Sequence, residues 1–220
     1  MPKTKARISI SLDGYMAGPN QSEANPLGEG GEALHEWAFR TAAFKEMHAQ
    51  AGGGEQAGDG ERGVDDEIMR ASLENLGAVV MGRNMFGPIR GDWPDEDWKG
   101  WWGDDPPFHC PVYVLTHHRR EPFELEGGNA FHFITDGIER AVAEAREAAD
   151  DQDVSIGGGA STLQQAIAAG LLDEIVVTQV PVLLGGGERL FDHLAAGAAR
   201  VELVDTVPGA GVLHLTYRLG

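Results

Sequence analysis

The stretch that most constrains this chain is Val154-Ser155-Ile156-Gly157-Gly158-Gly159-Ala160-Ser161-Thr162-Leu163-Gln164-Gln165-Ala166-Ile167, where a short apolar run passes through three glycines into a helical pattern. It reads as a strand, a tight turn and a helix start. Adjacent glycines allow positive φ and remove the Cβ atoms that would hold a ligand off the main chain. Ser161 or Thr162 is placed to cap the helix, whose free N–H groups and positive dipole end favour an anion. The stretch is a candidate seat for a pyrophosphate, with a plain strand-to-helix connection as the structural alternative. It is not a Rossmann fingerprint, because the Gly-x-Gly-x-x-Gly spacing is missing and the N-terminal strand is far away. No Gly-Lys-Ser or Gly-Lys-Thr follows, which excludes a lysine-bearing phosphate loop.

The rest of the chain alternates between strand and helix patterns. Ala6 to Leu12 alternates as a half-buried strand, with Ile8, Ile10 and Leu12 on one face and Arg7, Ser9 and Ser11 on the other. Asp13 ends it, either as a turn-former or as a carboxylate aimed into a cleft. Glu32 to Met47 reads as one helix in which Trp37 and Phe39 serve the core or a ligand. Residues 51–63 are glycine-rich and polar, the composition of a mobile loop or lid. Asp65 to Leu76 is a helix, with Ile68, Leu73 and Leu76 inward and acids in its first turn. Gly77 to Met81 is a continuous apolar strand of the kind found inside parallel sheets.

That strand runs into Gly82-Arg83-Asn84-Met85-Phe86, a glycine turn with a guanidinium at a strand's carboxyl end, where open α/β sheets bind ligands. Arg83 can fork onto a phosphate or stand solvated at a helix start. Residues 91–107 carry Trp93, Trp98, Trp101 and Trp102 among acids and prolines, a loop that packs itself down with aromatics. Val112 to Thr116, Phe131 to Ile134 and Leu172 to Val180 are further strands, and Gly137 to Ala149 is a helix. Ala199 to Val207 and Val212 to Leu219 form a closing hairpin. The pattern predicts an α/β fold: three layers, a mostly parallel mixed central sheet flanked by helices, and a C-terminal antiparallel hairpin. Residues 1–220 read as one domain.

Composition narrows the partners. Acidic residues outnumber basic ones 35 to 17, for a formal charge of −18, which argues against nucleic acid or an anionic membrane surface. Cys110 is the sole cysteine, so no internal disulfide forms; this fits a cytoplasmic location. Lys3, Lys5 and Arg7 are followed by apolar positions broken by Ser9, Ser11 and Asp13. Neither a signal-peptide core nor a membrane-spanning run is therefore expected. The His117-His118 pair has no carboxylate–histidine spacing to support it as a metal site, and none is expected.

Several stretches, taken in order, resemble the dihydrofolate reductase superfamily, and more closely the reductase domain of the bifunctional riboflavin-biosynthesis enzymes. They are Ser11-Leu12-Asp13-Gly14, Val80-Met81-Gly82-Arg83-Asn84-Met85-Phe86, Ile156-Gly157-Gly158-Gly159-Ala160, and Leu172-Asp173-Glu174-Ile175 followed by Pro181-Val182-Leu183-Leu184-Gly185-Gly186-Gly187. The resemblance implies a dihydrofolate-reductase-like fold, an NADPH-dependent reductase of a small heterocyclic substrate, and commonly a homodimer. It places Gly157, Gly158, Gly159, Ala160 and Ser161 along the pyrophosphate, with a non-proline cis bond at Gly157-Gly158. Arg83, Asn84 and Met85 fall at the adenosine 2′-phosphate, with Gly82 before them as a further cofactor-binding position, Thr116 and His117 beside the adenosine, and Ala17 and Gly18 near the nicotinamide. Substrate then lies near Asp13, Asn20 and Trp37, with Asp13 as the candidate catalytic residue that orients substrate or supplies a proton. The folate-binding acid of true folate reductases has no clear counterpart, since only Glu32 and Glu36 stand nearby, and no deaminase-type zinc motif is present. A non-catalytic nucleotide- or flavin-binding module is the rival reading, and flavin is the rival hydride carrier.

Overall fold

A computed structural model describes residues 1–50, 59–87, 91–93 and 97–220. The elements in chain order are β1 (Thr4–Ser11), β2 (Tyr15–Ala17), α1 (Glu36–Phe39), α2 (Ala42–Gln50), α3 (Val64–Arg70), β3 (Leu76–Gly82), α4 (Arg83–Phe86), β4 (Pro111–Leu115), β5 (Phe123–Glu124) and β6 (Ala130–Ile134). They continue with α5 (Ile138–Ala149), β7 (Asp153–Gly158), α6 (Ala160–Ala168), β8 (Glu174–Val180), β9 (Glu188–Arg189), β10 (Val201–Pro208) and β11 (Leu213–Leu219). Among the described residues, nine strands form one sheet in the order β10-β11-β8-β1-β7-β3-β4-β6-β5, and β2 pairs with β9 in a two-stranded sheet. The run from β8 to β6 is parallel, while β11 and β5 join it antiparallel. This is the predicted dihydrofolate-reductase-like arrangement.

Strand β3 shows why the sheet carries a layer on each face. Side chains alternate sides along a strand. Ala78 and Val80 accordingly join a core with Ile8, Ile10, Val154 and Ile156 under α5 and α6, while Val79 and Met81 join a second core with Phe86, Val112, Val114 and Phe131. Helix α5 buries Ile138, Ala141, Val142, Ala145 and Ala149, the spacing of one helical face. Helix α6 closes with Gly170 at φ 65, Gly170 N–H donating to Ile167 O and Leu171 N–H to Ala166 O, a Schellman arrangement. The helix stop foreseen near Gly170 has this cause.

Other boundaries differ from those the sequence predicts. The single helix over 32–47 is instead a 3-10 turn at Gly31–Leu34, then α1 and α2. Buried Thr41 makes the break: its hydroxyl donates to Ala38 O (2.7 Å) and accepts the Phe44 N–H (3.2 Å), the work of an N-cap. Asp66 takes up a further free amide of α2, accepting the Ala43 N–H at 2.6 Å and so pinning α3 to it. Helix α3 ends at Arg70 rather than Leu76, because Leu76 already begins β3. Leu12 lies beyond β1 and is 59% exposed instead of inward. Of the glycine-rich segment 51–63, residues 51–58 lie outside the described residues; Glu61 bridges to Thr41 and exchanges hydrogen bonds with Arg40 and Ala42. Residues 94–96 of the aromatic loop also lie outside. Within it Trp98 meets Trp101, Trp102 meets Phe108, and Trp93 meets Phe86 and Phe133.

Candidate active site

A cleft of about 940 Å³ opens along the carboxyl ends of the central strands and runs down one face of the sheet toward α2 and α3. Its upper rim is the glycine turn. Strand β7 reaches Gly158, and a register shift in its pairing with β3 sets Val80 against Ile156 but Met81 against Gly158, leaving Gly157 as the extra residue. The non-proline cis bond lies at Gly158-Gly159, one step beyond the Gly157-Gly158 position the resemblance implied.

The N-cap of α6 is Gly159 and no side chain caps it, so neither Ser161 nor Thr162 does. Instead the Thr162 and Leu163 amides donate to Gly159 O. A Cβ at Gly82 would overlap Thr162 Oγ1, so only glycine lets β3 pass this close to α6. Met85 packs over Gly157, its Sδ and Cε 3.1 and 3.0 Å from where a Cβ would stand. Above Gly159, by contrast, a Cβ would meet nothing within 4 Å. The main chain is therefore open at Gly159, with Ser161 exposed beyond it, while Gly158 is buried against Met85 and Met16.

Arg83 leaves the end of β3 and lines the same cleft. Its Nε and Nη2 are buried and have no hydrogen-bond partner among the described residues. Those two nitrogens form one edge of the guanidinium, a parallel donor pair suited to two oxygens of an anion. Burial, and secondarily the Arg120 guanidinium, push the Arg83 pKa down to about 10, so it stays charged at neutral pH. Buried donors of this kind are uncommon in native structures and call for an acceptor. With the open turn, they fit the phosphates of a dinucleotide. Asn84, Met85, Thr116, His117, Ala17 and Trp37 line the cleft as well. Thr116 is buried, and its hydroxyl accepts the His118 N–H at 3.2 Å.

Three predicted residues are placed elsewhere. The Asp13 carboxylate accepts the Ser11 hydroxyl (2.6 Å), the Gly185 N–H (2.8 Å) and the Leu184 N–H (3.2 Å). The Ser11 hydroxyl, aided by the two amides, holds this carboxyl down at about 2. Asp13 thus anchors the Pro181–Gly187 loop, whose Gly187 packs on Ala17 and Gly18, and is absent from the cleft lining. The structure thus places Asp13, the expected catalytic residue, outside the cleft, where its carboxylate holds a loop. Gly18 is buried against Glu29, its N–H donating to Leu27 O (2.8 Å). Asn20 turns outward, its Nδ2 donating to Glu29 Oε1 at 3.1 Å.

The lower half of the cleft holds groups that sequence reasoning missed. Arg7, Ser9, Ser155, Val176 and Thr178 rise from one face of the sheet. Register pairs Arg7 with Val176 and Ser9 with Thr178. Arg7 is half-buried without a hydrogen-bond or ion-pair partner among the described residues; burial lowers its pKa, against longer-range support from Glu174 and Glu74. Trp37 Nε1 donates to Ser9 Oγ at 3.0 Å. Thr178 Oγ1 lies 2.9 Å from Nδ1 of fully buried His214, whose Nε2 lies 2.9 Å from Asp65 Oδ1. The Trp37 ring meets His214 edge-on at 5.0 Å. His35 also lines the cleft, its imidazole pushed down to about 4 by burial and hence neutral. The signal for this floor was available, since a central strand with Arg7, Ser9 and Ser11 on one face must give that face something polar to meet.

Cys110 is buried and its thiol pushed up to about 12, so it is an inert packing residue. Among the described residues no cluster of histidine, cysteine and acidic side chains is placed to hold a metal, and no helix is long and apolar enough to cross a membrane.

Similar folds occur in solved structures. A protein assigned to riboflavin biosynthesis from Shewanella sp. PV-4 superposes with a TM-score of 0.61 at 22% identity, covering 99% of each chain. The dihydrofolate reductase of Enterococcus faecalis, complexed with NADP(H) and RAB-propyl, gives 0.52 at 15% identity over 99% of this chain and 96% of that one. A diaminohydroxyphosphoribosylaminopyrimidine deaminase/5-amino-6-(5-phosphoribosylamino)uracil reductase from Thermotoga maritima gives 0.55 at 10% identity, all of this chain covering 57% of that one. Comparison with curated protein sequences gave no match. The architecture is that of the dihydrofolate-reductase-like oxidoreductases. Within that class, residues 2–215 match the RibD C-terminal domain, and the chain belongs to that reductase family.

Proposed function

We propose that this protein is an NADPH-dependent reductase that transfers a hydride to a small heterocyclic substrate of pterin or pyrimidine type. One observation carries the reading: the open main chain at Gly159 and Arg83, whose buried Nε and Nη2 have no acceptor among the described residues, line the same cleft. NADPH, when bound, supplies the hydride. The amides from Gly158 to Ser161 hold its pyrophosphate, Arg83 with Asn84 holds the 2′-phosphate, and Thr116 and His117 flank the adenosine. Met85 and Ala17 shape the wall between the cofactor and substrate halves. In the lower half, Arg7 and Ser9 meet oxygen atoms of the substrate, and Trp37 covers its ring.

Reduction of a C=N or C=O bond also consumes a proton. Asp13 is engaged elsewhere, and the structure offers Thr178 in its place. When Asp65 accepts from His214 Nε2 and the ring is neutral, Nδ1 accepts the Thr178 O–H, and Thr178 shows the cleft only lone pairs. When His214 is protonated, Nδ1 donates to Thr178 Oγ1 and the hydroxyl proton turns to the cleft. A proton then passes from Nδ1 through Thr178 Oγ1 to the atom that gains charge, and His214 returns to neutral. Assembly as a homodimer belongs to the same reading: outer strand β10 exposes Val201 at 56% and Leu203 at 54%, an apolar edge unpaired among the described residues.

The test is titration of NADPH and NADH into the purified protein, then absorbance at the nicotinamide band with pterins, pyrimidinones and quinones as acceptors. NADPH preference with oxidation by one heterocyclic class is expected. NADPH binding with no oxidation by any of them would overturn the enzyme reading, and a yellow protein as purified would replace the carrier with a flavin.

A further inference from the structure

The Arg83 seat carries a feature that phosphate binding alone does not demand. The guanidinium lies over the Trp93 ring, its carbon 3.3 Å from the ring centroid. The ring is itself fixed. Its Nε1 donates to His118 O at 3.0 Å, and Phe86 and Phe133 meet it edge-on at 5.8 and 5.2 Å. A second guanidinium, that of Arg120, sits 4.9 Å from the same centroid, with Nη2 donating to Trp98 O at 2.6 Å. Two cations thus share one indole in a chain of formal charge −18.

We propose that Trp93 is the positioning residue that makes this seat select a phosphate dianion, and that it thereby sets the preference for a 2′-phosphorylated over an unphosphorylated nicotinamide dinucleotide. The inference rests on the placement of the 2′-phosphate at Arg83 given above.

Stacking covers a guanidinium's face and leaves its in-plane N–H groups unmet. Trp93 therefore strips water from the cation without supplying an acceptor, and holds the Nε–Nη2 edge in one orientation. Two parallel donors at fixed spacing match two oxygens of a phosphate. A lone 2′-hydroxyl offers one oxygen and no charge. Arg120 adds to the positive field at Arg83. A phosphate monoester brings about −1.5 to −2 charges at neutral pH. The lowered Arg83 pKa has the same two sources, burial and Arg120. A dianion answers the Arg83 charge, whereas a neutral ligand does not.

The experiment is calorimetric titration of NADPH, NADH and 2′-AMP into the full chain, wild type against Trp93→Leu and Trp93→Phe, with circular dichroism confirming that each folds. The expected result for Trp93→Leu is a roughly tenfold loss of NADPH and 2′-AMP affinity with NADH affinity held within about twofold. Trp93→Phe, a weaker platform that keeps the packing, falls between. The readout is the NADPH-to-NADH ratio, which a merely structural role leaves unchanged because it weakens both ligands together. A ratio unaltered in both variants overturns the role of Trp93 while leaving the cofactor site standing. A wild-type protein that binds NADPH and NADH equally, with Arg83→Ala also indifferent, removes the 2′-phosphate from Arg83, and both proposals fall together.

Discussion

Replacing Arg83 by methionine should move stability and cofactor affinity in opposite directions. In the free protein, Nε and Nη2 are buried donors without an acceptor, and each such group costs about 1–3 kcal/mol. Against this the stack on Trp93 returns about 0.5–2 kcal/mol. Methionine keeps the unbranched stem and its packing while removing both donors. Because the guanidinium is only half-buried, the low end applies, and the net gain is about 1 kcal/mol. For a chain of this size that raises Tm by about 2–4 °C. With NADPH present the sign reverses. Two charge-assisted hydrogen bonds at about 1.5 kcal/mol each are lost, so Kd for NADPH rises about a hundredfold. NADH, with no phosphate at that position, is unaffected. Thermal unfolding with and without 1 mM-range cofactor, alongside calorimetry, reads both effects. A variant that melts lower than wild type yet binds NADPH as well would refute the reasoning, since Arg83 would then be a structural cation.

Four further outcomes follow from the same structure. Asp13→Asn should lower the melting temperature and leave the NADPH affinity of the folded protein intact. The stability Asp13 provides is fully present above its ordinary value of 3.8 and disappears as pH falls through about 2, which acid unfolding of wild type against variant resolves. Gly82→Ala forces a methyl group onto Thr162 Oγ1 and should cost about 1–3 kcal/mol in a denaturant titration, with partial recovery when Thr162 is also made alanine. Thr178→Val should slow single-turnover reduction by tenfold or more while NADPH affinity is unchanged; equal rates would discard the His214 proton route. Placing lysine at Val201 and Leu203 should convert a dimer to a monomer in light-scattering measurements, and an unaltered mass would move the interface off β10.

The fold was more legible in the sequence than the site, for a physical reason. Runs such as Val79-Val80-Met81 and Val112-Tyr113-Val114 are strands because a sheet buried on both faces accepts only apolar side chains over a short length. The Val154–Ile167 stretch likewise disclosed a turn that three glycines make possible. The bonds of Asp13 were not legible because a strand-end carboxylate looks alike whether it meets substrate or amides, and its amide donors sit 171 and 172 residues away at Leu184 and Gly185. The break at Thr41 was hidden because apolar periodicity continues across a cap. Arg7, Ser9, Thr178 and His214 come from β1, β8 and β11, and only the sheet order makes them neighbours.

The floor of the cleft separates two kinds of change that most binding sites mix. Its rows, Arg7 beside Val176 and Ser9 beside Thr178, are held by backbone pairing between β1 and β8. The glycine turn hangs instead from β7 and β3. On the proposed function, an exchange of side chains in those rows would retarget the molecule to a different acceptor without retooling the end proposed to grip the electron donor. A scaffold divided in this way can diversify its chemistry by a few substitutions on two adjacent strands.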